Sequence, residues 1–168
     1  MSCRLGRSWN FFSINYHGKV LITMKTLVLI RYGEYQNRHL TPEGINQMTH
    51  SAKKLSIFSA DKKLVVASHT PRASESGKII AEILNTELVI NDIFYSAEED
   101  GLFPDNDRAL EFIKNLNNDV DVLVAIASRE YIETLPEHIL NTSTKTSLER
   151  GECLILDCQT KKISYLRN

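Results

Sequence analysis

Short apolar runs alternate along the chain with segments of helical periodicity, and this alternation limits the fold more than any other feature. Residues 26–30, 64–67 and 120–126 are largely apolar stretches that predict buried strands. Apolar residues at helical spacing follow the first two runs, from Pro42 to Leu55 and from Pro71 to Ile83. Buried strands that are joined by helices form mostly parallel sheets with helices on both faces. The sequence therefore predicts an α/β fold, a three-layer α/β/α sandwich with a mostly parallel central sheet.

Two threonine–proline pairs mark predicted helix starts. Thr41 and Thr70 are suitable N-caps, and Pro42 and Pro71 then occupy the favoured first helical position.

The rest of the chain predicts further helices and strands. Asp105 or Asp107 is expected to cap a helix that runs to Leu116, and Pro136 is expected to break or kink a helix over 130–140. The remaining predicted strands are 88–90 and a terminal hairpin of 152–157 with 163–166, and residues 96–107 are predicted to form a loop over the sheet.

Composition is that of an ordinary single globular domain. The chain has 168 residues, of which 42% are apolar and 24% charged, and its net charge is −1. This charge gives no reason to expect a nucleic-acid or membrane partner. Cys3, Cys153 and Cys158 have no metal-ligand spacing, so buried free thiols in the reducing cytoplasm are expected, with no metal and no cofactor.

The first 23 residues are predicted to be an N-terminal extension, either poorly ordered or upstream of the true start. They contain Trp9, Phe11 and Phe12, which leave an amphipathic anchor as a less favoured alternative, but no apolar stretch that is typical of a secretory signal. The folded domain is predicted to span 24–168.

Polar residues follow three of the predicted strands where each strand ends. Arg31 follows the first strand, Arg72 comes soon after the second, and Ser128 follows the late strand at 120–126. Because open α/β sheets place functional groups beyond the carboxyl ends of their strands, these residues are expected to converge at one rim of the sheet. The alternatives are surface ion pairs for the arginines and a helix N-cap for Ser128.

Several motifs occur in a fixed order around these residues. They are Arg-Tyr-Gly-Glu at 31–34, Leu-Thr-Pro-Glu-Gly-Ile-Asn-Gln at 40–47, Ser-His-Thr-Pro-Arg-Ala at 68–73, the glutamates at 98 and 99, and the strand that ends in serine at 123–128. Together, over roughly residues 24–157, they resemble the histidine phosphatase superfamily, and its small phosphohistidine-phosphatase-like members most of all. The resemblance implies a phosphoglycerate-mutase-like fold.

The resemblance also implies roles for individual residues. Tyr32 stands where the family has its nucleophilic histidine, and Ser128 stands where it has its second catalytic histidine. Arg31 and Arg72 match the phosphate-binding arginines, and Ser128 could donate one hydrogen bond to a phosphate. The family carries an acid in the region of Glu98 and Glu99, although neighbouring carboxylates on a polar loop are usually only solvated.

Two residues could replace the missing nucleophile. The phenol of Tyr32 is almost entirely protonated at neutral pH and is therefore a weak nucleophile, so an aromatic wall in the pocket is the favoured interpretation. His69 lies three residues before Arg72 and is either a displaced nucleophile or part of the pocket rim.

The favoured function is that of a degenerate family member that is catalytically impaired and keeps a pocket for phosphate or a phosphorylated small molecule or protein. An active phosphomonoesterase or phosphohistidine phosphatase using His69 or Tyr32 is the first alternative. The second is a non-catalytic scaffold that binds a protein partner. The sequence predicts no oligomeric state.

Overall fold

The structure is a computed structural model that describes residues 22, 24–58, 60, 62–116 and 119–168. Of the predicted extension, residues 1–23, only Ile22 is among the described residues, and Cys3 therefore lies outside them. Ile22 and Met24 are both buried in the core of the domain. Whether the remainder of 1–23 is a separate extension stays a prediction.

A six-stranded mixed sheet forms the centre of the fold. Its strands and a separate two-stranded hairpin are β1 (Thr26–Arg31), β2 (Tyr35–Gln36), β3 (His39–Leu40), β4 (Lys63–Ala67), β5 (Glu87–Ile90), β6 (Val122–Ala127), β7 (Cys153–Asp157) and β8 (Lys162–Leu166). The sheet order is β5-β4-β6-β1-β7-β8, in which β5, β4, β6 and β1 pair in parallel and β7 pairs antiparallel with both of its neighbours. The mostly parallel sheet that the sequence predicts is therefore present.

In the described part of the chain, four helices cover the sheet, two on each face. They are α1 (Pro42–Leu55), α2 (Pro71–Leu84), α3 (Asn106–Asn115) and α4 (Arg129–Leu140). Helices α1 and α2 pack with Val28 and Ile30 of β1, whereas α3 and α4 pack with Leu27 and Leu29 on the opposite face. This alternation along one strand creates the predicted three-layer α/β/α sandwich. Among the described residues no helix combines the length and the apolar character that a bilayer crossing needs.

Two of the four described helices begin with the predicted side-chain cap. The Thr41 hydroxyl accepts a hydrogen bond from the backbone N–H of Gly44, and the Asp105 carboxylate accepts one from that of Arg108. Thr70 occupies the N-cap position of α2, but its hydroxyl pairs with that of Ser68 instead of capping the helix.

The expected break at Pro136 does not occur, because α4 continues through it. Ile132, Leu135 and Ile139 of this helix are buried against the sheet on both sides of the proline. Their burial outweighs the one backbone hydrogen bond that a proline removes.

The terminal hairpin is confirmed, and it buries both described cysteines. β7 and β8 pair across a turn at 158–161, and Cys153 and Cys158 are free and buried. Burial raises the pKa of the Cys153 thiol to about 12 and that of Cys158 to about 11. Both thiols are therefore protonated and unreactive at neutral pH.

The small β2–β3 hairpin is an element that the sequence patterns miss. Its turn residues Asn37 and Arg38 have φ of 50° and 72°, the left-handed region that hairpin turns of two residues require. The dipeptide Asn-Gly is the usual sequence signal for such a turn. Here Arg38 stands in place of the glycine, so the sequence does not show this signal.

A close crossing of two glycines connects this hairpin to α1. A Cβ atom on Gly33 would lie 2.5 Å from the carbonyl oxygen of Gly44, and one on Gly44 would collide with the carbonyl group of Glu34. The Glu34 N–H also donates to the side-chain oxygen of Gln47 at 2.9 Å. This crossing holds the segment after β1 against the start of α1.

We expect Gly44→Ala to destabilise the protein by about 1–3 kcal/mol or more, because the methyl group meets backbone atoms that cannot move independently. Urea unfolding followed by circular dichroism measures this free energy. Asn46→Ala is the matched control in the same helix, since Asn46 is exposed and its change should stay within about 0.5 kcal/mol. Equal unfolding free energies for the two variants would contradict the crossing.

Candidate functional site

A cavity of about 610 Å³ lies beyond the carboxyl ends of β1 and β4 and beside the first turn of α4. Five parts of the chain line it: Arg31 and Tyr32; Tyr35 and Arg38 of the β2–β3 hairpin; His69, Thr70, Pro71 and Arg72; residues 95–100; and Arg129 and Glu130. The sheet topology explains this position, since parallel strands deliver their following residues to one edge.

Arg31 is the last residue of β1, and its guanidinium group is partly anchored. Its Nη1 donates a hydrogen bond to the Leu148 carbonyl oxygen at 2.7 Å. Its Nε is buried and has no hydrogen-bond partner among the described residues. One donor thus fixes the side chain while another stays unsatisfied, which costs free energy until an acceptor arrives.

Arg72 lies in the first turn of α2 and stacks on aromatic rings. Its guanidinium carbon is 4.9 Å from the centroid of the Tyr32 ring and 4.8 Å from that of Tyr35. Cation–π attraction of this kind positions a guanidinium group without using its N–H donors. The Nε of Arg72 is buried and, within the described part of the chain, has no partner either.

The Tyr35 ring, which supports Arg72, also contacts a second arginine, Arg150. The rings of Tyr32 and Tyr35 meet edge to face, with centroids 5.5 Å apart. The guanidinium carbon of Arg150 lies 4.4 Å from the Tyr35 centroid, and its Nη1 pairs with the Glu34 carboxylate. Glu34 and Arg150 therefore fix Tyr35, which in turn helps to fix Arg72.

Tyr32, in the predicted nucleophile position, lines the cavity as part of this stack. Its ring also packs against the apolar cluster between the sheet, α1 and α2. The structure therefore places an aromatic surface where the resemblance implies an imidazole.

Ser128, in the predicted position of the second histidine, is buried and does not line the cavity. Its hydroxyl accepts a hydrogen bond from the backbone N–H of Ser96 at 3.0 Å and donates one to the carbonyl oxygen of the same residue at 3.1 Å. Although Ser128 occupies the N-cap position of α4, its side chain does not cap the helix. Its role is to fix the segment at 95–97, and its only proton is already used.

His69 lines the cavity and is held by a carboxylate. Its Nδ1 lies 2.7 Å from Oδ1 and 2.8 Å from Oδ2 of Asp92, and its backbone N–H donates to Oδ1 at 3.0 Å. Partial burial alone would raise the pKa of Asp92, but the hydrogen bonds from His69 and its nearby charge lower that pKa below the ordinary value. Asp92 is therefore an anion at neutral pH and fixes the imidazole ring.

Glu98 and Glu99 also line the cavity, together with Asp100 in the same short 3₁₀ helix. Within the described residues the three carboxylates have no ion-pair partner. These carboxylates repel an anion. An anion that binds in the cavity would therefore have to be held by the arginines that line it.

Several lining residues are not assigned to the site by the sequence, and four of them have aromatic or cationic side chains. They are Tyr35, Arg38, Tyr95 and Arg129. Tyr35 and Arg38 depend on the hairpin that the patterns miss, and Tyr95 lies in a segment without regular periodicity. Arg129 follows Ser128 directly and could have been found from the strand-end rule alone.

The comparisons with known proteins concern the fold. No protein-family model and no curated protein matches the sequence. A solved structure of the protein histidine phosphatase SixA complexed with tungstate superposes with a TM-score of 0.68 at 15% identity, covering 84% of this chain and 94% of that one. A mycobacterial glucosyl-3-phosphoglycerate phosphatase complexed with VO3 gives a TM-score of 0.61 at 14% identity, covering 84% and 97%. The chain therefore has the phosphoglycerate-mutase-like fold of these phosphatases, as the sequence predicts.

We expect Ser128→Ala to destabilise the protein by about 1–3 kcal/mol, because the buried Ser96 N–H loses its acceptor. Chemical denaturation measures the change. Ser143 is exposed and its hydroxyl donates a hydrogen bond to the Glu137 carboxylate, so Ser143→Ala is a control that should cost less than about 0.5 kcal/mol. If Ser128→Ala is as stable as the control, the Ser96 contact does not matter for folding.

Proposed function

We propose that this protein binds phosphate, or the phosphoryl group of a phosphorylated small molecule or protein, between Arg31 and Arg72. The observation that carries the proposal is that both arginines line one cavity with a buried Nε donor that has no partner among the described residues. Guanidinium groups donate to two oxygens at once and suit the geometry of phosphate.

The surroundings of the two arginines support an anion rather than an internal ion pair. Neither Arg31 nor Arg72 forms a salt bridge with a described carboxylate. Arg31 is held by a carbonyl oxygen and Arg72 by aromatic faces, and neither partner neutralises a positive charge. Two structures of the same fold contain tungstate or VO3, which are phosphate analogues.

We further propose that phosphoester turnover is slow. Tyr32 and Ser128 occupy the positions where the resemblance implies imidazoles, and the Ser128 hydroxyl is bound to the Ser96 backbone. Loss of the covalent nucleophile from its usual position typically costs on the order of 10⁴–10⁶ in rate, so any remaining turnover depends on a group elsewhere in the cavity. The free buried thiols support a reducing, cytoplasmic location for this activity.

A titration with inorganic phosphate, followed by calorimetry and thermal shift, tests the binding site. Charge-assisted hydrogen bonds contribute about 1.5–3 kcal/mol each, so we expect a dissociation constant below about 1 mM. Arg72→Ala should weaken phosphate binding at least about tenfold, which corresponds to a loss of roughly 1.4 kcal/mol or more of binding free energy. Arg108→Ala removes the same charge from the exposed surface of α3, outside the cavity, and should leave binding unchanged.

Unchanged phosphate binding in both Arg31→Ala and Arg72→Ala would refute the site. Absence of any phosphate response in the wild type would instead favour the scaffold, in which the arginines are structural.

Tyr32→Phe separates the two roles that the phenol could have. We expect this variant to keep phosphate affinity and any residual hydrolysis of p-nitrophenyl phosphate within about twofold, because the ring that supports Arg72 remains. A large loss of turnover with normal phosphate binding would instead identify the Tyr32 hydroxyl as the nucleophile.

A further inference from the structure

His69 is the one histidine among the described residues that lines the cavity. Its side chain is 67% exposed, so a bound ligand can reach the ring. It precedes Arg72 by three residues at the β4–α2 connection, where Arg72 and Arg31 would hold a phosphoryl group. An imidazole therefore lines the same cavity as the two arginines of the proposed anion site, although it follows a different strand than Tyr32 does.

The hydrogen bonds of His69 determine which ring nitrogen is available. A carboxylate can only accept hydrogen bonds, so Nδ1, which faces both oxygens of Asp92, must carry the proton. In the neutral ring the lone pair then resides on Nε2. The backbone N–H of His69 binds the same carboxylate, and the Tyr95 ring packs edge-on with its centroid 6.2 Å away. The ring is thus held in one tautomer by contacts on two sides.

We propose that His69 Nε2 accepts the phosphoryl group of a phosphomonoester or phosphoramidate bound in the cavity, with Asp92 as its positioning residue. This inference rests on the proposed phosphate site. The Nε2 lone pair forms an N–P bond while the bond from phosphorus to the ester oxygen breaks and its electron pair leaves with that oxygen. The leaving oxygen takes a proton from water, unless it is already stable as the anion, as p-nitrophenolate is. In a phosphoramidate the P–N bond breaks instead, and its electron pair leaves with the nitrogen, which departs protonated as ammonia or an amine.

Asp92 matters most at the intermediate. Phosphorylation at Nε2 leaves the proton on Nδ1 and makes the ring cationic, and the Asp92 carboxylate stabilises this charge. Water then attacks phosphorus, the N–P bond returns its electron pair to Nε2, and the proton of the attacking water passes to solvent. The products are phosphate and the alcohol, or phosphate and ammonia or an amine when the donor is a phosphoramidate, and His69 is regenerated.

The chain contains a matched control outside the cavity. His39 Nδ1 pairs with the Glu75 carboxylate at 2.6 Å, and the His39 side chain is 65% exposed. Hydrogen bonds from Leu40 and His39 lower the pKa of Glu75 against the opposing effect of burial, as happens at Asp92. His39 does not line the cavity, so it tests whether a carboxylate-bound histidine is enough without the arginines.

The experiment incubates the full chain with phosphoramidate and separately measures hydrolysis of p-nitrophenyl phosphate. We expect an alkali-stable, acid-labile phosphoryl adduct that peptide mass spectrometry places on His69. His69→Gln should abolish the adduct and lower kcat at least about 100-fold, whereas His39→Gln should change neither. Asp92→Asn should lower kcat about tenfold or more with little change in KM, because it removes the charge that stabilises the ring and not the phosphate-binding arginines.

Phosphate titration of each variant keeps the two proposals distinct. An adduct on His69 that disappears in His69→Gln, with phosphate binding unchanged, supports the inference. Turnover that survives His69→Gln, or a wild type that binds phosphate but forms no adduct and has no turnover, overturns it and leaves the binding site in place. Loss of phosphate binding in the wild type would overturn the proposed function itself, and this inference with it.

Discussion

The fixed position of β1 is the constraint on which the site depends. This strand pairs with β6 on one side and β7 on the other, and its four central residues are fully buried. The backbone of β1 therefore cannot shift without breaking its hydrogen bonds to both neighbouring strands. The backbone of Arg31, the last residue of β1, is held in place by the same hydrogen bonds. The Gly33–Gly44 crossing extends the same constraint to Tyr32 and the hairpin. The protein loses little conformational entropy when a ligand binds to a pocket that is already ordered in this way.

The electrostatic arrangement of the cavity follows from how each charge is held. Arg31 and Arg72 are fixed by a carbonyl oxygen and by aromatic faces, and these contacts orient a guanidinium group without satisfying its charge. His69 is fixed by the Asp92 carboxylate, which determines its tautomer. Cations that a protein orients without pairing are suited to an external anion, because burial of an unpaired charge is costly until that anion arrives.

Much of the fold could be predicted from sequence, because apolar runs and threonine–proline caps report directly on burial and backbone geometry. The convergence of Arg31 and Arg72 on one cavity follows from the topology of a parallel sheet in the same way. The Asp92 partner of His69 could not be predicted, since it lies 23 residues away in a single turn of 3₁₀ helix that no sequence pattern marks. The Ser96 contact of Ser128 was equally hidden, because a serine after a strand also fits a helix cap.

A crystal structure of the protein soaked in tungstate tests the central claim most directly. The account predicts one anion in the cavity, with oxygens within hydrogen-bond distance of the guanidinium groups of both Arg31 and Arg72 and with the His69 ring beside it. An empty cavity at a tungstate concentration well above the measured dissociation constant for phosphate would contradict the account. So would an anion that is bound only elsewhere on the surface.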